Sequence, residues 1–105
     1  MSETMVAEII LEQLGGRMFI RMVGAKNLLA AENTLQFRIG AGALNGINAV
    51  RVTLTPMDEY DVEFFRIRGT DSTKVAELNS IYADDLQSAF TANTGFKTTF
   101  LAVQK

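Results

Sequence analysis

Apolar positions in the opening stretch TMVAEIILEQLGG recur at helical spacing. Met5, Val6, Ile9, Ile10 and Leu14 form the apolar set, Glu8, Glu12 and Gln13 fall elsewhere, and Gly15 and Gly16 supply a C-terminal stop. The period then shortens to two. RMFIRMV (17–23) alternates, NLLAA and TLQFRI flank Glu32-Asn33 as a hairpin, and NAVRVTLT leads through Pro56 into YDVEFFRIRG. These segments predict four or five antiparallel strands. Pro56 suits the second position of a tight turn, and Asn45-Gly46 tolerates positive φ at both residues, so the strands are expected to follow one another as a meander. Helical spacing returns in SIYADDLQSAFTANTG, where Tyr82, Leu86 and Phe90 stand four apart and Gly95 offers a stop. DSTKVAEL fits either the first turns of that helix or a short extra strand. KTTFLAVQK fits either an edge strand or no element.

A helix, a run of strands and a second helix, with no long crossover, predict an α+β two-layer sandwich. Its antiparallel sheet of four or five strands carries the N-terminal and C-terminal helices on one face. Strand alternation then turns Met18, Ile20, Met22, Leu35, Phe37, Ile39, Val50, Val52 and Leu54 toward the helices. Arg17, Phe19, Arg21, Val23, Gln36, Arg38, Arg51, Thr53 and Thr55 turn to the open face. The alternation slips at Phe64-Phe65, which calls for a bulge or for burial on both sides; Arg66 and Arg68 share a side and are expected to join the open face.

Composition narrows the chemistry. At 105 residues, 48% hydrophobic and 21% charged, the chain reads as one globular domain spanning 1–105. Without cysteine it has no disulfide framework and no thiolate ligand, and without histidine it lacks the commonest general base and metal ligand. No apolar run reaches the roughly 18 residues of a membrane span, and MSETMVAEII is acidic where a secretory signal is basic, so a cytoplasmic protein is expected. The net charge of −2 argues against a general duplex-coating protein but conceals how charge is distributed.

Every arginine falls in a predicted strand, whereas Lys26, Lys74, Lys97 and Lys105 do not. The candidate site is therefore the open sheet face with Arg17, Phe19, Arg21, Arg38, Arg51, Arg66 and Arg68. Guanidinium groups grip phosphate through paired hydrogen bonds, and a sheet-face aromatic is a stacking platform for bases. The competing reading is a solvated face on which Asp61 and Glu63 pair with these arginines across strands. Glu8, Glu12, Glu77, Asp84 and Asp85, read as helical, would make the opposite side acidic.

Other motifs carry less. GAGALNG (40–46) lacks the G-x-G-x-x-G spacing and a following lysine, and it runs into a strand, so it reads as an inter-strand loop. The acidic run MDEYDVEFF has no EF-hand spacing and no following nuclease pattern; its carboxylates read as turn and sheet-face charges, and no metal or cofactor is expected. No G-x-S-x-G appears, and a non-enzyme is expected. Tyr60 and Tyr82 read as core-edge aromatics with wet hydroxyls.

ILEQLGGRMFIRMVGAKN, NGINAVRVTL, YDVEFFRIRG and IYADDLQSAFTANTG together resemble a family of small uncharacterised proteins of bacteriophages and prophages, in that family's order and over most of the chain. The GAGAL loop departs from the family's more proline-containing pattern. The resemblance implies a phage setting, with the cytoplasm of a bacterial host as the compartment, and carries over no binding residue. In such a setting two expectations stand: binding of nucleic acid or a phosphorylated nucleotide on the arginine-bearing sheet face, or a protein-interaction module that inhibits or redirects a host protein such as a defence factor. Homo-oligomerisation through an exposed edge strand is compatible with either.

Overall fold

The structure, a computed structural model, describes residues 3–96 and Thr98. Two consecutive helices, α1 (Glu3–Leu14) and α2 (Gly16–Val23), lead into β1 (Lys26–Ala31), β2 (Thr34–Arg38), β3 (Ala49–Leu54), β4 (Tyr60–Arg68) and β5 (Asp71–Ile81), and α3 (Leu86–Thr94) follows. The five strands form one antiparallel sheet in the order β1-β2-β3-β4-β5, so the meander and the α+β class hold. The stretch KTTFLAVQK lies outside the described residues apart from Thr98.

The core sits between the helices and one sheet face. Leu35 pairs with Val52, Val52 with Val62 and Val62 with Leu78, while Phe37 pairs with Val50, Val50 with Phe64 and Phe64 with Ala76. From α1 come Val6, Ile10 and Leu14, spaced four apart and buried, whereas Met5 and Ile9 reach the surface. Phe90 of α3 lies among Phe19, Phe37 and Phe64, with ring centroids at 5.2, 6.5 and 6.4 Å. Large buried rings in such arrangements supply much of a small core's apolar burial.

Residues 17–23 are helical, which overturns the strand expected there. RMFIRMV fits both periods, and burial decides between them. As a helix it places Phe19 and Val23 four apart on one buried side, Phe19 meeting Phe37 edge-on at 5.4 Å and 84°. Gly15 at φ 128 and Gly16 at φ 63 break α1 and redirect the chain, and Gly24 at φ 67 ends α2 by donating its N–H to the Ile20 carbonyl. Met18, Ile20 and Met22 therefore do not form an inward strand face.

Of the two readings open for DSTKVAEL the strand is the one observed: it is the body of β5, and Glu77, read as helical, is a strand residue. Ile81 ends that strand, and a single 3₁₀ turn, Ala83–Asp85, precedes α3, leaving Tyr82 61% exposed outside the helix while Leu86 and Phe90 are buried. The Glu32-Asn33 hairpin, the Asn45-Gly46 turn at φ 57 and 72, and Gly95 as the stop of α3 all appear as read from the sequence. Tyr60 is buried rather than wet; burial first and the Asp58 carboxylate second push its hydroxyl above the ordinary tyrosine value.

Candidate anion-binding site

The arginines do not gather on the open sheet face. Arg17 and Arg21 stand exposed on α2, one turn apart, and Phe19 between them is 0% exposed, so it cannot stack on a ligand. In β4 the alternation runs unbroken: Tyr60, Val62 and Phe64 face the helices, and Asp61, Glu63 and Phe65 face out. The irregularity lies in the partner strand, where Phe64 pairs with Ala76 and Phe65 with Lys74, leaving Val75 as the extra residue of β5. Arg66 and Arg68 consequently share the helix side of the sheet, opposite to Arg38 and Arg51.

On the open face Arg51 is already engaged. Its Nε donates to Gln36 Oε1 at 3.2 Å, its Nη1 reaches Glu63 Oε1 at 3.1 Å, and its guanidinium lies 5.2 Å from the Phe65 ring centroid. Lys74 completes the array, with Nζ 3.0 Å from Glu63 Oε2 and 3.0 Å from Glu77 Oε1. Burial would push the Glu63 carboxyl up, but the hydrogen bonds and charges of Lys74 and Arg51 outweigh it and hold Glu63 below the ordinary value. The hydrogen bonds from Lys74 to Glu63 and Glu77 in turn hold Lys74 above its ordinary value. Asp61 instead accepts the Ser80 N–H at 3.1 Å. Cross-strand pairing thus neutralises the middle of this face, the solvated arrangement weighed from the sequence.

The meander sorts the remaining charge by end. Alternate junctions of an antiparallel sheet lie at opposite ends. The α2–β1, β2–β3 and β4–β5 junctions bring Lys26, Arg38, Arg66, Arg68 and a single acid, Asp71, to one end. The β1–β2, β3–β4 and β5–α3 junctions bring Glu32, Asp58, Glu59, Asp61, Asp84 and Asp85 to the other. Both lysines of the described chain lie in strands, contrary to the reading from sequence. The signal was present, since positive and negative junctions alternate along the sequence, but it acquires meaning only once the strand order is known.

The basic end is built around the loop between β2 and β3. Lys26 and Arg38 pair directly across strands and line a hollow of about 310 Å³ with Gly42, Gly46 and Asn48. Arg38 Nε is anchored by the Asn48 carbonyl at 3.2 Å, and Arg66 Nη1 by the Asn45 carbonyl at 3.1 Å. Gly46 takes φ 72, a left-handed conformation that favours glycine, and a Cβ there would come within 3.0 Å of Arg66 Cδ, so the Arg66 side chain packs closely against the turn. Gly42, at φ 103, has nothing within 4 Å of where its Cβ would be and borders open space. Arg66 and Arg68 line a second depression, of about 390 Å³, with Asp71 and Thr73. Two cations thus flank the loop from the open side and two from the helix side.

Among the described residues no group of three or more acidic side chains is arranged to hold a metal ion, and no helix is long and apolar enough to cross a membrane. No protein-family model matches the chain, and comparison with curated proteins and with solved structures finds no match. The geometry itself carries the reading.

Proposed function

We propose that this chain is a non-enzymatic binding protein for a phosphate-bearing ligand, single-stranded nucleic acid or a phosphorylated nucleotide, held at the basic end of the sheet by Lys26, Arg38, Arg66 and Arg68. The supporting observation is the convergence of these four cations, from three strands, around one glycine-bearing loop with Asp71 as the nearby acid, in a chain whose net charge is −2. Two arginines are braced on backbone carbonyls, which reduces the side-chain entropy lost when they meet a phosphate. Because the cations lie on both sides of the sheet end, they suit a strand that crosses that end better than a single compact anion. This reading replaces the sheet-face patch of Arg17, Phe19, Arg21 and Arg51 and keeps Arg38, Arg66 and Arg68. In the phage or prophage setting that the resemblance implies, such a protein acts by occupying nucleic acid.

The acidic end favours a second reading, a protein-interaction module for a host protein with a basic surface, using Asp84 and Asp85 rather than Glu77, which the Lys74 pairing occupies. Oligonucleotide titration against salt separates the two. Four phosphate contacts give a slope of log K against log salt of about −0.7 each, near −3 in all. Each of Lys26→Gln, Arg38→Gln, Arg66→Gln and Arg68→Gln flattens it by about 0.7, whereas Arg17→Gln and Arg21→Gln leave it unchanged. Absence of oligonucleotide and nucleotide binding at low salt overturns the proposal.

A further inference from the structure

Beside the phosphate-binding loop the open face carries a second hollow, of about 280 Å³, lined by Asn27, Leu29, Gln36, Arg38, Ala49 and Ile67 with Phe37. It shares Arg38 with the hollow at the loop, so the two are contiguous through one guanidinium. Its volume is at the small end for a ligand site, the scale of one planar ring system rather than of an extended molecule. Leu29, Ala49 and Ile67 supply apolar contact, and Asn27 and Gln36 supply polar groups. Gln36 Oε1 already accepts the Arg51 Nε hydrogen, which leaves the Gln36 NH₂ as the group able to donate at the rim. Ala49 matters through its size, since it stands directly between Arg38 and Phe65 in the sheet and is 4% exposed; a larger side chain there would fill the floor.

Resting on the reading of the basic end as a phosphate site, we infer that this hollow takes a nucleobase whose phosphates lie on Lys26 and Arg38. The ligand class is then a base-bearing single strand and not a polyanion at large. Flat apolar surface with a hydrogen-bonding edge is what a base presents and what the hollow complements. The arrangement also supplies the apolar contact that buried Phe19 cannot.

The test compares a short single-stranded oligonucleotide with an abasic oligomer of the same length and charge, each bound to the full chain at one salt concentration. Base-bearing strand should bind at least about tenfold tighter, the magnitude of one base contact. Leu29→Ala, at an edge-strand position 56% exposed and therefore tolerant of substitution, should remove most of that preference without altering the salt slope. Ala49→Leu should do the same by filling the floor, with thermal unfolding used to verify that it folds. Equal affinity for the two oligomers, or an unchanged preference in Leu29→Ala, overturns the base hollow while leaving the phosphate site standing. Failure of both oligomers to bind overturns both.

Discussion

RMFIRMV in α2 and VEFFRIR in β4 are near-equivalents in composition, each mixing arginines with aromatic and aliphatic residues, yet one coils and the other extends. Their surroundings account for the difference. α2 is bounded by Gly15-Gly16 and by Gly24, all at positive φ, and its only fully buried residues, Phe19 and Val23, are four apart. β4 buries Tyr60, Val62 and Phe64 at a period of two and is paired on both sides, by β3 and β5. A short alternating run is ambiguous until bounding residues and partners choose its period. The choice also decides which arginines travel together: α2 sends Arg17 and Arg21 to a helix surface, and β4 sends Arg66 and Arg68 to the sheet end.

The largest expected effect separates the two phenylalanines that sit among arginines. Phe19→Ala should cost about 3–5 kcal/mol in chemical denaturation, because it opens a cavity against Phe37 and Phe90. Phe65→Ala, on the partly exposed open face, should cost about 1 kcal/mol. Equal losses would mean that the helical burial of Phe19 is wrong.

Next in size is the helix stop. Gly24→Ala puts a Cβ at φ 67 and 3.4 Å from the Gly40 nitrogen, and should lower stability by about 1–2 kcal/mol from the left-handed conformation alone. A neutral result would break the argument that glycines set the bounds of α2.

In β4 the comparison sharpens through pH. Glu63 has its carboxyl held below the ordinary value, so its contribution is fully present above the unfolded value and is lost as pH falls through the lowered folded one. Urea titrations of the parent and Glu63→Gln should differ by up to about 1 kcal/mol at neutral pH and converge in acid. A gap that widens on acidification has the wrong sign and would remove the Arg51–Glu63–Lys74 pairing as its cause.

The smallest stability effect belongs to the exposed helix cations. Arg17→Ala and Arg21→Ala should each change unfolding free energy by no more than about 0.5 kcal/mol, as surface substitutions generally do.

Much of the architecture was legible in the sequence because it rests on local rules. The stops at Gly15-Gly16 and Gly95, the turns at Glu32-Asn33 and Asn45-Gly46, and the alternation of Leu35 to Ile39 and Val50 to Leu54 each depend on a few neighbouring residues, and they led to an α+β meander. The sheet-face site was not legible, because it required Arg17 and Arg21 to be in a strand and the alternation of β4 to slip, and both were decided by packing. Phe19 was taken up by a core cavity between Phe37 and Phe90, which no local pattern specifies. The irregularity expected in β4 fell in β5, since either strand of a pair can absorb the extra residue and only the full sheet selects which. By itself the sequence determined the charges, their alternation from junction to junction and the glycines between them. Only the tertiary structure decided that Lys26, Arg38, Arg66 and Arg68 share one end of the sheet, because antiparallel strands return residues as far as 42 apart along the chain to the same end.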